Sequence, residues 1–273
     1  MVDVRFITST NMKKEILEKF PKWIEEDYNY NLCLSDDLDS LFSCLVLNKI
    51  KGYEIKWFYN FNSIYFADDY KEDTKCIAVD ADLTNNRRCW GNHVTLENPN
   101  SANLNTIMGI NCNNYTSKYC GSTLLEIISY YNIDISELSE EQKMILLTID
   151  STYLGYWFKD GYYCKKYLKM MELDCLLDVL EGHTKQEFKD IDTKYNLNKG
   201  KIYIGEDNKL HTNIELDKLG DVFPKLSFSL PQNEFKKKKG FKIIENTYQI
   251  HEKEQIFSCA RTFKNALRYS VAM

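Results

Sequence analysis

Along this 273-residue chain the period of the apolar positions changes several times, and each change marks an element. Residues 31–35 (NLCLS) form a short, nearly unbroken apolar run, which predicts a buried strand. From Asp36 onward the pattern turns helical, with Leu38, Leu41, Phe42, Leu45 and Val46 on one face until Gly52 closes the element. Residues 53–59 (YEIKWFY) alternate and are aromatic, so they predict a second strand. Residues 75–80 (KCIAVD) predict a third, buried and ending in an acid. Ahead of these, VRFIT (4–8) reads as an edge strand, followed by a helix interrupted at Pro21. The succession predicts an α/β fold built on an open, mostly parallel sheet flanked by helices.

Two further helices are expected, one over 122–130 and one opening at Ser139, where Ser139 and Gln142 have capping-box spacing. The second runs through MILLTID to Asp150, and aromatic, helical packing continues over 151–181. The polar stretch 181–201 is the best boundary. It divides the chain into an α/β domain over 1–181 and a smaller C-terminal α+β domain over 182–273. Within the latter, residues 201–216 read as a hairpin turning at 206–208. The four lysines of 236–239 read as a solvated loop, and FSCARTFKNALRYSV as a closing helix.

Composition narrows the function classes. At 44% hydrophobic and 27% charged, the chain can bury a core. No apolar run reaches the roughly 18–20 residues of a membrane span, and the start lacks a signal-like apolar stretch, so a cytoplasmic protein without membrane partners is expected. The net charge is −5, which excludes a nucleic-acid binder acting through bulk positive charge. A phosphate-bearing partner must therefore be met by local charge or by metal. Nine cysteines without a C-x-x-C pair read as reduced core thiols. Four histidines exclude a His-rich cage, whereas 40 acidic residues leave carboxylate sites open.

The acids fall where an open α/β sheet binds its ligands, at the carboxyl ends of strands. Asp36, Asp37 and Asp39 follow the first of these strands, and Asp80 and Asp82 follow the third. Carboxylates one or two residues apart on a turn can share a hard divalent cation. Asp36 and Asp37 are also good helix-capping residues, but capping does not account for Asp80 at the end of another strand. His93 stands in a Gly- and Asn-bearing loop after Asp80, and Asp150 is the lone acid of an apolar segment, costly to bury unless paired or metal-bound. Arg87 and Arg88, two of five arginines, precede His93 and have the chemistry to clamp a substrate phosphate.

Taken together, SDDLDSLFSC, IAVD, WGNHV and TIDST resemble, in order, the four motifs of the DHH phosphoesterase superfamily over roughly residues 28–158. The resemblance implies metal ligands at Asp37, Asp39, Asp80, His93 and Asp150, with Asp80 bridging and Asp82 a close spare. It implies one or two Mn2+ (or Mg2+) ions. Ser35 stands where that family has its first-motif His, and the Asp-His-His triplet aligns with either Asn92-His93-Val94 or Gly91-Asn92-His93. The implied activity is hydrolysis of a nucleotide, cyclic dinucleotide or short oligonucleotide by metal-activated water. The implied partner is a phosphate-containing small molecule or short single-stranded nucleic acid. The altered ligand set leaves a second reading open, a degenerate member that binds or senses a nucleotide or serves as an interaction module. A homo-oligomer is compatible with either.

Overall fold

The computed structural model describes residues 12–247, 250 and 255–273; the strand expected over 4–8 lies outside them. A short helix, α1 (Lys14–Leu17), is followed by a 3-10 turn entered from Pro21. Strand β1 (Asn31–Leu34) leads into α2 (Leu38–Lys51) and β2 (Glu54–Tyr59). Asp37 caps α2 by accepting from the Ser40 amide at 3.3 Å, and Gly52 ends it at φ 73, the left-handed geometry a glycine adopts without steric cost. An unexpected hairpin strand, β3 (Ser63–Ala67), precedes β4 (Cys76–Val79), β5 (Cys89–Trp90) and β6 (Ser101–Ala102).

Helices α3 (Leu104–Ile107), α4 (Thr123–Tyr130), α5 (Glu140–Thr148), α6 (Tyr162–Met170), α7 (Cys175–Gly182) and α8 (Lys185–Tyr195) follow. The Ser139–Gln142 capping box opens α5 as expected. The polar stretch read as a boundary folds largely as α8, itself opened by a Thr184–Glu187 capping box. The hairpin β7 (Ile202–Ile204) and β8 (Leu210–Thr212) forms as expected, and α9 (Leu216–Val222) follows it.

The lysine run belongs to a long strand, β9 (Phe235–Thr247), whose first half pairs with β3, so it is not a loop. The expected closing helix is instead a hairpin of β10 (Ile256–Phe263) and β11 (Ala266–Ala272). Alanine, leucine and arginine gave that segment helical propensity, but Ser258 and Ala260 face Ser270 and Arg268 across a two-residue turn at Lys264–Asn265. Strand pairing overrides weak local preference.

Among the described residues the large sheet has the order β10-β11-β9-β3-β2-β1-β4-β5-β6. The half from β2 to β6 is parallel, as expected; the half from β2 to β10 is antiparallel, so the sheet is mixed. Its two faces are covered differently. Leu32, Leu34, Phe58, Ile77 and Val79 point into the main core shared with the helices. Their neighbours Cys33, Trp57, Tyr59 and Ala78 point the other way and meet Phe241, Phe257 and Ala272 from the C-terminal strands. The sheet therefore curls over its own second face. The edge strand β10 reaches the loops beyond β4 and β5, where the Cys259 amide donates to the Asp82 carbonyl at 2.9 Å and the Arg261 amide to the Val94 carbonyl at 2.7 Å. This closure satisfies an edge that would otherwise be open.

Inside the curl, the buried Tyr59 hydroxyl bonds Ser258 Oγ at 2.7 Å and Ser270 Oγ at 2.5 Å, tying β2 to the hairpin. Tyr59→Phe leaves the two serines with a partner fewer in a closed space. It should lower unfolding stability by about 1–3 kcal/mol, read as a reduced midpoint in urea with an unchanged slope. No change in midpoint would mean that the closure does not depend on this contact.

Candidate metal centre

In the parallel half, β1 connects to β2 on one side and β4 to β5 on the other, so the strand order reverses between β1 and β4. Loops leaving the carboxyl ends of such a pair diverge and open a crevice, the general ligand position of open α/β sheets. Ser40 holds this crevice together. Its hydroxyl donates to the Val79 carbonyl at 2.7 Å and accepts from the Ser35 amide at 2.7 Å, joining the ends of β4 and β1.

Three of the five expected ligands converge there. Carboxylate oxygens of Asp39, Asp80 and Asp150 lie within 4.8 Å of one another. Asp39 is buried in the first turn of α2, and its two oxygens accept from the Thr123 and Leu124 amides at 2.7 and 2.8 Å, placing an anion at the N-terminus of α4. Asp80 is buried at the end of β4 and accepts from the Thr123 hydroxyl at 2.8 Å. Asp150 stands where the backbone breaks after α5, and Asn92 donates to it at 2.6 Å. The sequence suggested a buried lone acid at this position, but the break leaves Asp150 exposed. Asp80 and Asp150 both sit at φ 54, a left-handed conformation uncommon outside glycine but tolerated by Asp. Two of the three acids are thus presented by backbone that few other side chains would accept.

Asp37 and His93 line the same cavity without entering the trio. Asp37 faces Lys201, whose ammonium lies 3.7 Å away and 2.9 Å from Asp36. Lys201 is set there because the next residue's amide bonds the Asp36 carbonyl at 2.8 Å. His93 turns to Asp82, with Nδ1 at 3.1 Å and the His93 amide at 3.3 Å from the same carboxylate oxygen. Asn103 holds the other oxygen at 2.7 Å. Gly91 makes room, since a Cβ there would lie 2.2 Å from Asp82 Oδ1. Asp82 is therefore an orienting group for His93.

Arg87 and Arg88, expected at the substrate, stand outside the cavity lining. Arg87 donates to the Thr84 carbonyl at 3.1 Å and lies over the Phe257 ring, and Arg88 lies between Glu26 and Tyr30. The cations that do line the cavity, Lys201 and Arg268, come from β7's approach and from β11. Nothing in their sequence surroundings marked them, because both are brought in by long-range pairing. Thr123 and Asn92 were also missed as groups that hold the acids, Thr123 because a Ser-Thr pair at a helix start reads as ordinary capping.

Electrostatics sets the state of the cluster. Two carboxylates at this separation repel by roughly 3 kcal/mol at an effective dielectric of about 20, and three pairs do so at once. Burial, then the neighbouring acids, push Asp39 and Asp80 well above the usual carboxylate range, against the pull of the α4 amides and Thr123. Asp37 is pushed up to about 6, by burial and then by Asp150. Burial would lower His93, but the Asp82 hydrogen bond and charge, with Asp150, outweigh it and raise the imidazole.

Comparison of the chain with protein-family descriptions, with curated proteins and with solved structures gives no match. Among the described residues no helix is long and apolar enough to cross a membrane.

A raised carboxylate binds more protons folded than unfolded, so its contribution to stability is fully present below its unfolded value, about 4, and is lost as pH rises through the folded value. In chelator-treated protein, Asp80→Asn, which suits the left-handed backbone, should therefore gain stability relative to wild type as pH rises from 5 to 8, by about 1–3 kcal/mol at the upper end. Thermal melts of both proteins across that range check this; a constant difference would show that the cluster carries no such repulsion.

Proposed function

We propose that the chain is a divalent-cation-dependent phosphoesterase acting at the crevice between β1 and β4. One observation carries the reading: three carboxylates, from the start of α2, the end of β4 and the break after α5, converge where the topology opens a ligand crevice, and a hard cation would relieve their mutual repulsion. The motif resemblance of SDDLDS, IAVD and TIDST to the DHH phosphoesterases supports it, since Asp39, Asp80 and Asp150 are three of the four acids those motifs contribute, Asp37 being the fourth. The donor set fits such an ion, being all oxygen, close together and reachable through the exposed Asp150. One close group of three favours a single Mn2+ or Mg2+ over two.

Bound there, the cation would supply an acidified water and screening of phosphoryl charge. The remaining work falls to the chain. The α4 amides, Thr123 and Asn92 hold Asp39, Asp80 and Asp150 in orientation. Hydrolysis adds one water across a P–O ester bond: phosphorus gains the water oxygen, and the departing alcohol oxygen gains a proton. His93 is the group placed to supply that proton. Its Nδ1 is committed to Asp82, which leaves Nε2 as the nitrogen available to the cavity, and its raised affinity keeps it protonated nearer neutrality.

A second reading, binding without hydrolysis, is favoured by the commitment of both Asp39 oxygens to α4. The two readings separate on one set of measurements. Mn2+ should bind at one ion per chain, raise the melting temperature at pH 7.5 more than at pH 5, and support hydrolysis of bis(p-nitrophenyl) phosphate or short oligonucleotides. Asp80→Asn should lose both ion and activity. His93→Gln should keep the ion and lose about 100-fold or more in kcat, within the usual range for a positioned proton donor. Ion binding without turnover supports the binding reading, and unchanged activity in Asp80→Asn overturns this centre altogether.

A further inference from the structure

Besides Asp82, which serves His93, two further carboxylates border the trio: Asp36 and Asp37 line the same cavity as Asp80 and Asp150. Asp37 belongs to the same electrostatic cluster, since its charge helps to raise both Asp39 and Asp80. Its Oδ1 accepts from the Ser40 amide at 3.3 Å, and its Oδ2 lies 3.7 Å from Lys201 Nζ. The same ammonium donates to Asp36 Oδ1 at 2.9 Å, and its charge is felt by Asp80 as well. One fixed cation is thus shared among three carboxylates, two by ion pairing and Asp80 through space.

The backbone around Lys201 is pinned for this placement. Its amide donates to Asn213 Oδ1 at 2.7 Å, and its carbonyl accepts from Thr212 Oγ1 at 2.9 Å. The next amide, that of Ile202, donates to the Asp36 carbonyl at 2.8 Å, which joins the β7–β8 hairpin to the loop after β1. The Lys201 side chain is about half exposed, so its ion pairs add little to the stability of the fold. Its effect falls instead on the charge of the centre. Ionised, Asp37, Asp39, Asp80 and Asp150 carry four negative charges. A divalent ion at the trio offsets two of them, and the Lys201 ammonium, a compact point charge, offsets a third. A second divalent ion beside Asp37 would stand at contact distance from that ammonium, where like charges repel strongly.

Resting on the phosphoesterase reading, we propose that Lys201 is the built-in second cation of the metal centre: its ammonium holds the place beside Asp36 and Asp37 that a second divalent ion would otherwise take. The centre therefore carries one exchangeable ion, and the β7–β8 hairpin, remote from the acids in sequence, sets that number. A chelator removes the exchangeable ion and leaves the ammonium where it is.

Counting ions tests this independently of turnover. Mn2+ bound per chain is measured by calorimetry and equilibrium dialysis near neutral pH, and electron paramagnetic resonance distinguishes an isolated ion from a spin-coupled pair. Wild type should bind one ion with the spectrum of isolated Mn2+. Lys201→Gln should bind two, with the spectrum of a coupled pair. Lys201→Met, which keeps the aliphatic stem, should do the same and carries the comparison if the glutamine variant fails to fold. Lys201→Arg keeps the charge and should stay at one ion. Adding Asp37→Asn to Lys201→Gln should return the count to one, an effect that a merely structural role for Lys201 would not produce. Two ions in wild type, one ion in both Lys201→Gln and Lys201→Met, or a count that stays at two in the double variant overturns the proposal. No ion in any of these proteins overturns the phosphoesterase reading and the proposal with it. The expected counts without hydrolysis of bis(p-nitrophenyl) phosphate overturn that reading alone and leave the role of Lys201 standing.

Discussion

A parallel sheet buries both of its faces, and among the described residues helices cover only one of them. The face carrying Leu32, Leu34, Ile77 and Val79 is covered by helices, while that carrying Cys33, Trp57, Tyr59 and Ala78 would otherwise meet water. The chain meets this constraint by extending the sheet through β3, β9, β11 and β10 and curling it back. The rest of the architecture follows from that solution. The edge strand finds its hydrogen-bond partners in the loops beyond β4 and β5, and those are the loops that carry Asp82 and flank His93.

The same closure turns a crevice into a cavity. In an open sheet the carboxyl ends of β1 and β4 would face solvent, and their acids would repel one another only weakly through water. Asp39 is buried against the N-terminus of α4, and Asp80 is buried in the cavity it shares with the hairpin; their repulsion is felt in a lower dielectric, and both are driven toward the protonated form. Burial and repulsion are opposed by fixed dipoles of the chain, the α4 amides at Asp39 and the Thr123 hydroxyl at Asp80. The centre is thus held in place by its surroundings and unbalanced in charge, a combination that costs stability and suits binding.

Much of the first half of the fold was legible in the residues. NLCLS, the helix from Asp37 to Gly52 and KCIAVD are strong signals because each is decided within a dozen residues, by periodicity, by a cap or by a glycine at positive φ. Asp39, Asp80 and Asp150 were legible for a related reason, since acids at strand ends and at a break in an apolar run are anomalous wherever the chain goes. Less legible was what each acid touches. Asp82 reads like a second ligand and is instead the partner of His93, a distinction that depends on Gly91 leaving room for its carboxylate. Arg87 and Arg88 lie close to His93 in sequence yet turn away to Phe257 and to Glu26 with Tyr30.

The sequence by itself determined β1, α2, β2, β4, α4, α5 and the β7–β8 hairpin, and singled out Asp39, Asp80 and Asp150, because hydrophobic period, capping and isolated polarity in an apolar run are short-range properties. Tertiary structure alone decided that FSCARTFKNALRYSV is a hairpin, that the lysine run is a strand, and that Lys201 and Arg268 line the same cavity as Asp80 and Asp150. Those outcomes depend on pairings between residues more than a hundred positions apart, such as Tyr59 with Ser258 and Ser270, and Lys201 with Asp36. No local preference encodes such pairings; they follow from the need to cover one face of a sheet.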